Sequence, residues 1–171
     1  QVSKYASALG MKVKAVTRNP PSHDVASAHG ALSVENLNRL HEVLIDCDHV
    51  LVTVALVDET ESLIGEEELE VMRKSSCLIN VARGPVVNEK ALYQALRDGQ
   101  IAGAALDVWW QEPTKPGDLP MPSKYDFAAL TNVLMSPHAS AMTKEVIQRR
   151  LQAAYANFDR FKLGEPIEGV I

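Results

Sequence analysis

Cysteine is nearly absent: Cys47 and Cys77 are the only two in 171 residues, which excludes a disulfide scaffold or a cysteine-rich zinc module. Long apolar runs are missing as well. The longest strongly apolar stretch, Val50 to Val57, is interrupted by Thr53 and is far too short to cross a bilayer. There is no cluster of basic residues, and 17 Lys and Arg against 22 Asp and Glu give a net charge of −5, which argues against a nucleic-acid backbone as partner. No charged-then-apolar leader opens the chain, so a reducing cytoplasm is the expected compartment. The first residue is Gln1 and falls inside an expected helix, so the chain is expected to be an N-terminally truncated piece.

What is present is a balanced composition, 46% apolar and 23% charged, that suits one globular domain with a substantial core. Val2, Tyr5, Ala6 and Leu9 recur at helical spacing, and Gly10 stands where a left-handed residue ends a helix. Val13 to Val16 reads as a strand stopped by Asn19-Pro20-Pro21. Leu37, Leu40, Val43 and Leu44 form a helical stripe, and His49 to Leu56 reads as a strand buried on both faces. Gly65 to Lys74, acidic at its start and basic at its end, reads as a helix before a strand at Cys77 to Val81. Asn88 is placed to cap a helix carrying Ala91, Leu92, Ala95 and Leu96, with Gly99 ending it before a strand at Ile101 to Val108. A loop at Pro113 to Pro122, a short strand at Val133 to Met135, and a long helix from near Thr143 to about Leu163 complete the chain. Strands alternating with helices predict an α/β fold on a doubly wound parallel sheet, with ligands outside the carboxyl ends of the strands.

Polar residues directly after a strand therefore carry the functional signal. They are Thr17-Arg18-Asn19, Arg83-Gly84, Asp107 to Glu112, and His138. Each has a bland alternative: Arg83 in a surface salt bridge, Gly84 in a simple turn, Asp107 as a turn former, Glu112 as a solvated loop carboxylate, His138 as a hydrogen-bonded structural histidine. Their collection at one sheet edge is what argues against those alternatives.

Asn80-Val81-Ala82-Arg83-Gly84, then Ala104-Ala105-Leu106-Asp107-Val108 leading to Glu112-Pro113, then Ser136-Pro137-His138 resemble the D-isomer-specific 2-hydroxyacid dehydrogenases, in family order. The Leu9-Gly10-Met11 and Glu59-Thr60 segments extend the resemblance over nearly the whole chain. It implies a Rossmann-type cofactor domain over residues 1–171 that lacks its first strand and the G-x-G-x-x-G phosphate loop. It also implies a separate substrate domain, built mostly from residues N-terminal to this chain. The stretch from about residue 143 to 171 is expected to return toward that domain.

By the same resemblance, Arg83 anchors a carboxylate and polarises the neighbouring carbonyl. Its planar guanidinium can grip a 2-oxo acid with two donors. His138 is the acid/base group, since reducing a ketone needs a proton donor that works near neutral pH. Glu112 holds one tautomer of that imidazole and stabilises its charged form. Thr17, Arg18, Val81, Ala82, Arg83, Asp107 and His138 are expected along the cofactor, with Asp107 against the nicotinamide. Where an acidic residue would bind the ribose 2′-hydroxyl of NAD, this chain has Thr17 followed by Arg18, which suits a 2′-phosphate. NADP(H) is therefore favoured, with NAD(H) possible. Trp109 and Trp110 are expected to pack rather than to stack on a cofactor. The implied activity is hydride transfer between that cofactor and a small 2-hydroxy or 2-oxo acid, of the hydroxypyruvate or glyoxylate reductase kind. The whole protein is expected to form a homodimer, without metal, nucleic acid or membrane. The alternatives are a cofactor-sensing, corepressor-like binding protein on the same fold, or a piece inactive by itself.

Overall fold

In the computed structural model, which describes residues 1–115, 117–118 and 120–169, the strand-helix alternation folds into two parallel sheets. Helix α1 (Val2–Ala8) ends just before Gly10, whose φ of 85° turns the chain into strand β1 (Lys14–Thr17). Helix α2 (His23–Ala28) and strand β2 (Ser33–Asn36) follow, and β2 pairs with β1 in parallel from Lys14↔Ser33 to Thr17↔Asn36. Neither α2 nor β2 is expected from the sequence. The segment Ser33-Val34-Glu35-Asn36 has one apolar side chain, and as an outer strand it buries too little surface to show apolar alternation.

The second sheet runs β3 (His49–Val52), β4 (Cys77–Asn80), β5 (Gly103–Leu106) and β6 (Val133–Met135) in sequential order, all parallel. Between these strands lie α4 (Glu66–Val71) and α5 (Glu89–Arg97), with α3 (Leu40–Leu44) before β3; α3 packs on α4 and α4 on α5. Leu44, Leu69, Leu78, Leu92, Ile101, Leu106 and Phe127 fill the core between helices and sheet. Asn88 caps α5 as expected, its side chain accepting the Ala91 N–H at 3.0 Å. The Glu68 carboxylate closes the start of α4 by accepting the Gly65 N–H at 2.9 Å.

Three expectations need correction. The strand from His49 stops at Val52 and is not buried on both faces: Leu51 is 37% exposed, because β3 is an edge strand with a paired neighbour on one side only. The helix expected over Gly65 to Lys74 ends at Val71. Arg73 lies beyond it and reaches across to Asp46 at 3.1 Å and to the Ile45 carbonyl at 3.0 Å instead of capping the helix. The long helix α6 (Lys144–Leu163) forms with Thr143 as its N-cap and Gly164, at φ 71°, as its left-handed end. Its apolar stripe, however, is uncovered: no residue of α6 is buried, and Leu151, Phe158 and Phe161 are all exposed. No helix among the described residues is long and apolar enough to cross a membrane.

Candidate active site

The register of the four-stranded sheet decides where the chemistry can lie. Asn80, Leu106 and Met135 pair in sequence across β4, β5 and β6, so the segments after them leave the sheet at the same edge. Arg83, Asp107 to Glu112 and His138 are thus gathered at one edge by three separate loops. Thr17 and Arg18 leave the end of β1, and the Arg18 guanidinium lies 3.5 Å from the carboxylate of Glu59, which follows β3.

Arg83 is presented by a turn that Asn80 builds. Buried Asn80 accepts the Ala82 N–H and donates to the Arg83 carbonyl, each at 3.0 Å, so the amide replaces the backbone ladder just past β4. Arg83 is exposed, donates to the Ala82 carbonyl at 2.7 Å, and has no carboxylate within 4.0 Å among the described residues. The salt-bridge alternative for Arg83 is thereby removed, and most of its guanidinium is free for an anionic ligand. Val81, 38% exposed, and buried Ala82 complete the turn. A Cβ on Gly84 would meet the Trp109 backbone, so its small size serves packing between two loops.

Glu112 and His138 meet. The His138 Nδ1 is 3.0 Å from Glu112 Oε2, while Glu112 Oε1 accepts the Trp109 N–H at 3.3 Å. The pair is half exposed at the loop surface, with the imidazole open to solvent. Trp109 itself is buried and donates from its indole to the Ser136 carbonyl at 3.0 Å; Trp110 donates to the Val87 carbonyl at 2.8 Å and stacks on Phe127. Both tryptophans pack, as expected, and Trp109 also links the Arg83 loop to the His138 loop.

His138 has a φ of 55°, a left-handed conformation uncommon outside glycine. Asp107, 5% exposed, lies beneath it. Its carboxylate accepts hydrogen bonds from the hydroxyls of Ser136 and Ser140 and from the N–H groups of Ala139 (2.9 Å) and Ser140 (3.0 Å). Burial alone would push this carboxyl upward, but the four donors outweigh it and bring its pKa down to about 2. Sequence reading missed Ser136 and Ser140. Two serines four apart around Pro137-His138 are the one signal available, and serine is too common in loops for that to stand out.

A nicotinamide cofactor can be tested against these groups. Half-buried Thr17 and exposed Arg18 offer a hydroxyl and a guanidinium at the end of one strand, and exposed Val81 beside unpaired Arg83 offers an apolar patch and a cation at the end of another. That donor set fits the ribose and the nicotinamide ends of such a molecule. The sequence holds no G-x-G-x-x-G segment to cradle the pyrophosphate between them.

Comparison with known proteins points to one family. The family described as D-isomer specific 2-hydroxyacid dehydrogenase, NAD binding domain, matches residues 1–140. A glycerate dehydrogenase from Methylorubrum extorquens is 37% identical over 165 residues, 96% of this chain and 47% of that protein. A glyoxylate reductase from Korarchaeum cryptofilum is 41% identical over 126 residues, 74% of this chain and 36% of that protein. The chain thus spans less than half the length of these relatives. Among solved structures, a D-isomer specific 2-hydroxyacid dehydrogenase from Xanthobacter autotrophicus Py2, in complex with NADPH and MES, superposes with a TM-score of 0.77 at 32% identity, covering 96% of this chain and 62% of that one. A D-lactate dehydrogenase from Lactobacillus jensenii with NAD+ superposes with a TM-score of 0.82 at 26% identity, covering 99% and 51%.

Proposed function

The chain belongs to the D-isomer specific 2-hydroxyacid dehydrogenase family through its NAD-binding domain, and from that premise we propose that the whole protein reduces a small 2-oxo acid to the 2-hydroxy acid, as a glyoxylate or hydroxypyruvate reductase does. The observation that carries this reading is the convergence of an unpaired Arg83 with the Glu112–His138 pair at one sheet edge. The relatives named glyoxylate reductase and glycerate dehydrogenase support the choice of small acids.

Arg83 binds the carboxylate of the 2-oxo acid through its fork and turns a second donor toward the adjacent carbonyl oxygen, drawing charge onto it. His138, in its charged form, delivers the proton that this oxygen needs, from the ring nitrogen opposite Glu112. Glu112 accepts from Nδ1, fixes the ring plane and stabilises the imidazolium before the proton leaves. Bound nicotinamide cofactor supplies the hydride for the 2-oxo carbon. Thr17 and Arg18 would hold its ribose end, and Val81, Ala82, Arg83 and His138 would line its nicotinamide end. Asp107, beneath His138, would stand beside that nicotinamide end.

Arg18 favours NADP(H) over NAD(H), because a guanidinium binds a phosphate dianion more strongly than a ribose hydroxyl. In this reading, residues 1–171 form the cofactor domain, and a separate domain of the whole protein closes over the acid and selects its side chain. The 143–169 segment returns toward that domain, and the whole protein works in the cytoplasm as a homodimer. The test is NADPH oxidation by the whole protein with glyoxylate and with hydroxypyruvate. We expect turnover, reduced about a thousandfold in kcat/KM by Arg83→Met. No turnover of any small 2-oxo acid with either cofactor overturns the assignment.

A further inference from the structure

Family resemblance sets Asp107 against the nicotinamide, and in the structure its carboxylate also holds the turn that carries His138. Oδ1 takes the Ser136 hydroxyl and the N–H groups of Ala139 (2.9 Å) and Ser140 (3.2 Å), and Oδ2 takes the Ser140 N–H at 3.0 Å and the Ser140 hydroxyl. The donors come from both sides of Pro137-His138. One carboxylate therefore ties together the two ends of a five-residue turn and leaves His138 near its apex.

The conformation at that apex needs such a tie. A non-glycine residue at φ 55° persists only when its surroundings over-determine it. Ser136 is further held by its N–H to the Leu106 carbonyl at 2.9 Å and by the Trp109 indole on its carbonyl at 3.0 Å, so the turn is anchored to β5 at its start and to Asp107 at its end.

We propose that Asp107, with Ser136 and Ser140, is a positioning residue: it fastens the 136–140 turn and through that backbone sets His138 in the left-handed conformation from which its Nδ1 meets Glu112. This rests on the reading of His138 as the proton donor. In this role Asp107 acts through the backbone of His138. Its removal therefore lowers kcat, because it frees the imidazole to exchange tautomers.

The test has two readouts. In the full chain with 15N-labelled histidine, ring-nitrogen shifts of neutral His138 report its tautomer, with His138→Asn providing the assignment. The wild type is expected to show the single Nδ1–H form, and Asp107→Asn a mixture of the two. In the whole protein, Asp107→Asn is expected to lower kcat about tenfold or more. Ser140→Ala should reproduce both effects more weakly and Ser140→Thr, which keeps the hydroxyl, should restore them, a comparison that survives if Asp107→Asn fails to fold. A raised KM for NADPH with an unchanged His138 tautomer overturns the clamp in favour of a direct cofactor contact. A His138→Asn protein that keeps full turnover overturns the proton-donor reading and the clamp's role with it. Lost turnover in His138→Asn, together with a single tautomer in both Asp107→Asn and Ser140→Ala, overturns the clamp alone.

Discussion

Gly84 approaches Trp109 so closely that a Cβ built on it would lie 2.2 Å from the Trp109 carbonyl oxygen and 2.6 Å from the Trp110 nitrogen. The obstacles are backbone atoms, which cannot swing aside as a side-chain tip would. The loop that presents Arg83 is seated directly on the segment that runs to Glu112.

Gly84→Ala is therefore expected to destabilise the chain by about 3 kcal/mol, in the range of an overpacked buried site. Gly99→Ala is the control. It also loses a glycine, at φ 65°, but nothing lies within 4 Å of its would-be Cβ, so only the backbone cost of about 1 kcal/mol remains. Urea midpoints of the two variants decide it; equal shifts would show that the close approach does not limit position 84.

Glu112→Gln keeps an acceptor for His138 but removes the negative charge facing it at 3.0 Å. In the whole protein, kcat is expected to fall about 10- to 100-fold while KM for the 2-oxo acid, set by Arg83, changes little. Steady-state kinetics at saturating NADPH separate the two constants. A rise in KM with kcat preserved would place Glu112 in acid binding and not behind the imidazole.

Strand-end logic makes the common edge of the site legible in the sequence alone. Arg83, Glu112 and His138 follow strands whose apolar character is plain in the sequence, and parallel pairing leaves their loops no other common edge. The outer part of the fold was less legible, because β2 and α2 bury little and carry no clear apolar period. Two features were invisible for a different reason. The left-handed backbone of His138 leaves no mark when the residue is not glycine. The Arg18–Glu59 pair joins residues 41 apart, whose nearness depends on how the β1 and β3 ends lie in space.

That pair bears on cofactor choice. Arg18 and Glu59 are both more than half exposed, so their mutual attraction is worth under about 1 kcal/mol and a phosphate dianion can displace it. Arg18→Ala in the whole protein is expected to weaken NADPH binding by about 1.5–3 kcal/mol and NADH binding far less. Glu59→Gln, which frees the guanidinium, should tighten NADPH binding modestly. Titration of both cofactors against each variant checks this, and equal losses for NADPH and NADH in Arg18→Ala would show that Arg18 does not read the 2′-phosphate.

Asp107 also sets a pH dependence of stability. Its pKa falls from the ordinary aspartate value to about 2 in the folded chain, because four donors from the 136–140 turn favour the anion over the opposing effect of burial. A carboxyl with a depressed folded pKa stabilises the fold fully above its unfolded value and loses that contribution as pH falls through the folded value. The window is thus between about pH 4 and pH 2. The full shift would correspond to about 2 kcal/mol; with solvent near the turn, about 1 kcal/mol is the reasonable expectation. Glu42, Glu68, Asp98 and Asp118 are also lowered by their own partners, so the acid unfolding of the wild type alone does not isolate Asp107. Comparison with Asp107→Asn does, since the other carboxyls cancel in the difference. The stability advantage of the wild type over Asp107→Asn, from urea titrations at a series of pH values, should be about 1 kcal/mol larger at pH 6 than at pH 2. A difference that stays constant across that range would mean that the turn's donors hold the neutral acid as well as the anion, and the charge of Asp107 would then have no part in anchoring His138.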